Sequence, residues 1–155
     1  MIKKNYKKRI VFGLGSNLGD RLENLNRSVY LMEEKLELSD IKSSEVFQNK
    51  AMLLADSPPE WDMDFFNIAI SADIDLQKFN PEKILEIIKN IEKEIGREAR
   101  QRWAPREIDI DILLIEDLKI HINCKLTVPH PGLFKRDFFI KTVTEIEEAL
   151  LKKLR

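Results

Sequence analysis

The 155-residue chain has one cysteine, Cys124, and two histidines, His121 and His130. An internal disulfide is therefore excluded, and a structural zinc site lacks its donors. No apolar run approaches the ~20 residues needed to cross a bilayer. The short apolar run Ile10–Leu14 is no signal-peptide core and meets Ser16-Asn17 without a small-residue cleavage site. Charge of one sign is also missing: 26 Lys and Arg face 27 Asp and Glu, a formal net charge of −1. No global field then favours nucleic acid or anionic lipid, so any anion site must be local. There is no internal repeat and no linker. What remains, with 43% hydrophobic residues, is expected to be one domain over 1–155 with a real core, in a reducing, cytoplasmic setting.

Periodicity predicts the elements. A strand is expected at Arg9–Leu14, preceded by a basic tail and followed by a turn through Gly15–Gly19. Asp20 with Glu23 three residues on reads as a capping box. Leu22, Leu25, Val29, Met32 and Leu36 then mark an amphipathic helix over 21–37. Residues 42–48 and 65–73 are strand-like, separated by an irregular excursion through Ser57-Pro58-Pro59. Asn80-Pro81 starts a second helix, Ile84, Ile87, Ile88, Ile91 and Ile95 form its buried stripe, and Gly96 stops it. An arginine-rich loop over 97–107 leads to the strand IDIDILLI, then a hairpin turn at Glu116–Leu118, KIHI, LTVPHP and two short helical stretches. The order β-α-β-β-α-β with additions predicts an α+β fold. Its expected form is a ferredoxin-like βαββαβ core, an antiparallel sheet flanked by helices.

The strand 108–115 places acids inside an apolar segment. Strict alternation puts Ile108, Ile110, Ile112 and Leu114 on one face and Asp109, Asp111, Leu113 and Ile115 on the other. Two same-face aspartates lie roughly 6.6 Å apart at Cα, from ~3.3 Å of rise per residue. They make a poor all-protein cage but a good anchor for Mg²⁺ carried by phosphate; the plain alternative is a pair of surface acids on an edge strand. Just upstream, Arg97, Arg100, Arg102 and Arg106 fall within ten residues. Guanidinium groups grip phosphate bidentately, though Glu98 and Glu107 could make this an ordinary charge run. Arginines, carboxylates and Trp103 together suit a nucleoside triphosphate. GLGSNLGDR is neither a dinucleotide fingerprint nor a P-loop and is explained as a strand-to-helix turn. Phe65 and Asn67 share a strand face, and an aromatic plane beside an amide suits a flat heterocycle; core Phe beside a satisfied Asn is equally open. His130 and Phe138 are ambiguous singly, and His121 reads as structural.

Taken in order, GLGSNLGDR, F-x-N, RWAPREIDIDILL and TVPHP resemble the 6-hydroxymethyl-7,8-dihydropterin pyrophosphokinase (HPPK) family, from about Val11 to Phe138. The resemblance implies transfer of the β,γ-pyrophosphoryl group of ATP to the pterin hydroxymethyl oxygen, with AMP released. It implies two Mg²⁺ ions on Asp109 and Asp111, the pterin ring between Phe65 and Phe138, and Asn67 at the ring's polar edge. Arg97 and Arg106 would clamp the phosphates. Glu92, Arg102, Ile112, Lys125, Thr127, His130 and Arg136 would lie with ATP, and Trp103 would close over the substrates. The chain would act as a monomer or as a domain fused to another folate enzyme. It departs from the family where S-x-x-Y-x-T-x-P is common: residues 44–52 read SEVFQNKAM, so Phe47 replaces the tyrosine and the threonine and proline are missing. Ala99 stands where another arginine is common. An RNA-binding domain lacks its aromatic signature here. A regulatory module would leave the aspartates beside the arginines unexplained, and a metal-dependent phosphohydrolase lacks a group to position water.

Overall fold

The computed structural model describes residues 6–51, 53–98 and 104–155. β1 (Lys7–Ser16) is the spine, paired antiparallel with β4 (Phe65–Asp75) on one side and β5 (Asp109–Ile115) on the other. β2 (Ser39–Ser43) and β3 (Phe47–Asn49) both pair with the far edge of β4, giving the order β2-β4-β1-β5 with β3 beside β4. The expected antiparallel ferredoxin-like arrangement is therefore present. β6 (Ile120–Ile122) and β7 (Leu126–Val128) form a separate two-stranded hairpin.

Two helices cover one face of the sheet. α1 (Arg21–Lys35) begins at Asp20, whose side chain accepts the Glu23 N–H as the capping box requires, and ends two residues earlier than expected. α2 (Pro81–Ile95) begins at Asn80, which accepts the Lys83 N–H at 2.8 Å, and stops at Gly96 with φ +121°. Its Ile84, Ile88 and Ile91 are fully buried against Ile10, Phe12, Ile70 and Ile112. Each such side chain contributes about 2 kcal/mol of transfer free energy. The opposite face is covered by α3 (Asp137–Lys153), through Phe139, Val143 and Leu151 against Val11, Ala69 and Leu113. α3 consists of two helical stretches, as expected, that meet at a kink where Glu147 leaves helical geometry with φ −142°.

Three further expectations are corrected. β1 runs on to Ser16, so Gly15 joins Gly13 as a strand residue and the turn begins after it. The strand expected over 42–48 is broken: Ser44 turns its hydroxyl to the Ala69 N–H at 2.9 Å and takes over a ladder position with a side chain. Strict alternation also fails in β5. Val11 pairs with Leu114 but Phe12 with Ile112, so Leu113 is the extra residue of a bulge. Beyond it the faces exchange: Leu114 packs under α3, and Ile115 joins the α1–α2 core. No helix among the described residues is long and apolar enough to cross a membrane.

Candidate active site

On the α3 side of the sheet, β1 presents Gly13 and Gly15 between two side-chain-bearing neighbours. Gly15 pairs with Asn67 of β4 and Asp109 of β5; Gly13 pairs with Ala69 and Asp111. Strands lie ~4.8 Å apart, so Asn67 and Asp109 face one another across roughly 9–10 Å of bare backbone. A Cβ on Gly15 would come within 2.8 Å of Asn67 Oδ1 and 3.3 Å of Phe65 Cδ1; one on Gly13 would come within 2.9 Å of Phe139 Cε1. The glycines thus clear the floor of a cavity of about 230 Å³, walled by Phe65, Asn67, Arg106, Asp109, Asp111, His130, Arg136 and Phe138, with Asn49 and Lys50 also in its lining.

At Asp111 and His130 this cavity adjoins a second, more open cleft containing Ile112, Lys125 and Thr127 together with Lys89 and Cys124. The expected pterin residues thus gather in the first space, and the expected nucleotide residues Ile112, Lys125 and Thr127 in the second. Arg102 and Trp103 lie outside the described residues, as does Arg100.

The carboxylates are unevenly balanced. Arg97 donates through Nη1 to Asp109 Oδ1 at 3.0 Å, and Arg106 Nη1 lies 3.8 Å from Asp109 Oδ2. Among the described residues, Asp111 has no such partner within ion-pair distance other than His130 Nε2 at 3.8 Å. Burial, then the neighbouring Asp109 charge, pushes the Asp111 carboxyl up to about 7, against the pull of Lys89 and Arg136. Among the described residues, Asp111 is thus left without a close full positive charge. Among the described residues no group of three or more His, Cys, Asp and Glu is placed to hold a metal. Two carboxylates with a charge deficit fit a hard divalent ion that arrives with phosphate oxygens and water rather than one held by protein alone.

His130 is fixed by its backbone. Its N–H donates to the Leu113 carbonyl at 2.8 Å, the carbonyl of the bulged residue, so the bulge carries His130 to Asp111. Its Nδ1 accepts the Gly132 N–H at 2.9 Å, which assigns the proton of the neutral ring to Nε2, toward Asp111. Burial and the Arg136 charge lower its pKa, so the ring favours that neutral form.

Glu92 lies beneath the site instead of lining either space. It is 3% exposed, and its Oε2 accepts the Ile110 N–H at 2.7 Å and Arg97 Nη1 at 2.9 Å. It ties the start of the arginine loop to β5 beside Asp109. Asn17 was not singled out in the sequence, yet it is 1% exposed and joins three segments. Its Oδ1 accepts the Arg106 N–H at 2.9 Å and its Nδ2 donates to the Met63 carbonyl at 3.2 Å. An asparagine just past a strand end is a weak signal, and its partners are 89 and 46 residues away.

Comparisons with known proteins give the family and the fold. A profile of the family described as 7,8-dihydro-6-hydroxymethylpterin-pyrophosphokinase (HPPK) matches residues 11–148. The 2-amino-4-hydroxy-6-hydroxymethyldihydropteridine pyrophosphokinase of Aquifex aeolicus is 42% identical over 142 residues, covering 92% of this chain and 82% of that one. The folate synthesis bifunctional protein of Chlamydia trachomatis is 36% identical over 138 residues, 88% of this chain but 30% of that protein. Among solved structures, the Plasmodium falciparum HPPK-DHPS wild type superposes with a TM-score of 0.60 at 15% identity, over 90% of this chain and 40% of that one. That likeness speaks for the fold alone. The chain thus spans most of a single-function relative and less than half of the two-function ones. With its match running through both glycines, the aspartate strand and α3, the chain belongs to the HPPK family.

Proposed function

We propose that the chain transfers the pyrophosphoryl group of ATP to the hydroxymethyl oxygen of 6-hydroxymethyl-7,8-dihydropterin, in folate biosynthesis. The substrate oxygen bonds to the β-phosphorus as the hydroxyl loses its proton, and the α,β-bridging oxygen leaves on AMP. The observation that carries this reading is the row Asn67–Gly15–Asp109, an amide and an acid facing each other across a cleared strand. An amide reader for a flat ring and an acid anchor for phosphate are thereby held on rigid strands at a span that suits a pterin bearing a phosphate acceptor.

Each residue has a role in this reading. Phe65 and Phe138 stack on the ring and Asn67 reads its edge. Asp109 and Asp111 would hold Mg²⁺, two ions carried with the triphosphate, which supplies neutralisation of charge on the phosphate oxygens. Arg106 and Arg97 add fixed positive charge where the transferring group becomes most negative. Glu92 acts by orienting Arg97. His130, with its proton toward Asp111, and Arg136 contact the phosphates between the two spaces. Ile112, Lys125 and Thr127 receive the rest of the nucleotide, and Arg102 and Trp103 complete the loop over it. Excluding water matters because water would otherwise accept the pyrophosphoryl group. We take residues 1–155 as one catalytic domain acting in the cytoplasm, as a monomer or joined to another folate enzyme.

The test is product identity. Purified protein with ATP, Mg²⁺ and the reduced pterin is expected to give AMP and the pterin diphosphate in equal amounts by phosphorus NMR. ADP or inorganic phosphate as the main product would refute the reading.

A further inference from the structure

The stretch that departs from the family pattern, SEVFQNKAM, supplies a side chain to the cavity that the pattern does not describe. Asn49 ends β3 where S-x-x-Y-x-T-x-P has its threonine, pairs with Phe65 and lines the cavity. Its carboxamide is bound on both sides. Nδ2 donates to the Lys50 carbonyl at 3.1 Å, and Oδ1 accepts from Asn67 Nδ2.

The second of these bonds decides what Asn67 can offer a ligand. Asn67 is 6% exposed and its Nδ2 carries two N–H groups. One donates to the Phe47 carbonyl at 3.2 Å and the other to Asn49 Oδ1. Both donors are spent within the protein, so Oδ1 is the atom left for the ring. Turning the carboxamide over would set oxygen against oxygen at two contacts. The Phe47 carbonyl alone would leave one N–H unassigned; Asn49 completes the lock.

We propose that Asn49 is a positioning and specificity residue for the heterocycle, holding Asn67 so that it presents only an acceptor. The site then selects a ring with an N–H donor at that edge, as the N3–H and 2-amino group of a pterin provide, and disfavours one blocked there. This rests on the pterin reading of the cavity. Asn49 acts through Asn67 rather than on the reacting atoms, so its effect belongs in ring affinity and ring choice.

The test compares wild type, Asn49→Leu and Asn49→Asp in steady-state turnover, with 6-hydroxymethylpterin methylated at N3 as a competing ligand. Asn49→Leu removes the acceptor at similar volume. It is expected to raise KM for the pterin about tenfold, leave KM for ATP and kcat near wild type, and narrow the discrimination against the N3-methyl ligand. Asn49→Asp keeps an oxygen facing Asn67 Nδ2 but loses the bond to the Lys50 carbonyl, so its pterin KM is expected to fall between wild type and Asn49→Leu with the discrimination kept. The side-chain amide signals of Asn67 in nitrogen-resolved NMR read the lock without turnover: exchange-protected in wild type and Asn49→Asp, and freed in Asn49→Leu. The proposal is overturned if Asn49→Leu leaves pterin KM and discrimination unchanged, or if Asn49→Asp loses the discrimination as fully as Asn49→Leu. A wild-type protein that forms no AMP would refute the pterin reading itself, an outcome distinct from any difference among the variants.

Discussion

Arg9 and Gly15 stand on the same face of β1, at opposite ends, and carboxylates gather at both. At the Arg9 end they are paired, all with one guanidinium. The guanidinium donates to Glu147 at 2.7 and 3.0 Å, to Ser71 at 2.8 Å, to the Asp40 carbonyl at 2.7 Å and to Asp73 at 3.3 Å. Arg9 and Glu147 side chains are only 14% and 11% exposed. Burial opposes the charge on each, but the Ser71 and Arg9 bonds hold Glu147 below the usual glutamate range, and Glu147 and Asp73 raise Arg9. The pair pins α3 at its kink, where Glu147 leaves helical geometry. At the glycine end Asp111 has no close full positive charge among the described residues, and burial with the Asp109 charge pushes it up to about 7. A cluster whose acids are paired is complete as structure; a carboxylate without a close cation in a cavity is a receptor for one.

Removing each acid should therefore have opposite consequences. Asp111→Asn is expected to lower turnover by roughly 10³-fold or more, because the phosphate anchor is lost. Its effect on the metal-free fold has the other sign. A carboxyl with a raised folded pKa contributes stability that is complete below its ordinary 3.8 and lost as pH rises through about 7. Calorimetry should thus show the melting temperature of Asp111→Asn above wild type by a few degrees at pH 8, roughly 2–6 °C, with the gap closing toward pH 4. A lowered melting temperature with turnover preserved would move Asp111 into the structural class.

Arg106→Ala should reduce kcat by ~10²–10³, with KM for the pterin little changed, if its charge acts on the transferring group; a change confined to KM would assign it to ground-state binding. Gly15→Ala places a methyl 2.8 Å from Asn67 Oδ1. It is expected to raise KM for the pterin by roughly tenfold, since Asn67 must shift, while ATP binding stays near wild type. Equal losses for both substrates would mean that the strand itself moved.

Glu147→Gln is the mirror image of Asp111→Asn and has the smallest effect on activity. A depressed carboxyl contributes stability present above its ordinary 4.5 and lost as pH falls through the lower folded value. The variant should melt ~5–8 °C below wild type at pH 7, from a loss on the order of 2–3 kcal/mol. That gap should shrink as pH falls below the ordinary 4.5 and through the lower folded value, with kcat near wild type. A constant gap across pH would show that packing, not charge, holds the kink.

The contrast between the two ends was half legible in the sequence. Helices with caps at Asp20 and Asn80, the isoleucine stripe and the aspartate strand follow from local spacing, and the family's blocks marked most of the site. Arg9 lay at the edge of what reads as a basic tail, because Glu147, its main partner, is 138 residues away and no local pattern links them. The bulge at Leu113 was invisible for a related reason. Alternation continues through the letters IDIDILLI, and only pairing with Val11 and Phe12 reveals the extra residue. Gly15 read as a turn former, and the use of both glycines was hidden because it is lateral: they make room beside Asn67 and the aspartates on neighbouring strands. Asn49 sits where the family pattern fails, so resemblance could not reach it.

The receptor role of the aspartate pair is tested most directly by titrating wild type and an Asp109→Asn/Asp111→Asn variant with α,β-methylene ATP, calorimetrically, with Mg²⁺ and with EDTA. Wild-type affinity is expected to rise at least tenfold when Mg²⁺ replaces EDTA, and the double variant is expected to bind equally weakly in both. Metal-independent binding by wild type, or Mg²⁺ dependence retained in the double variant, would contradict that role.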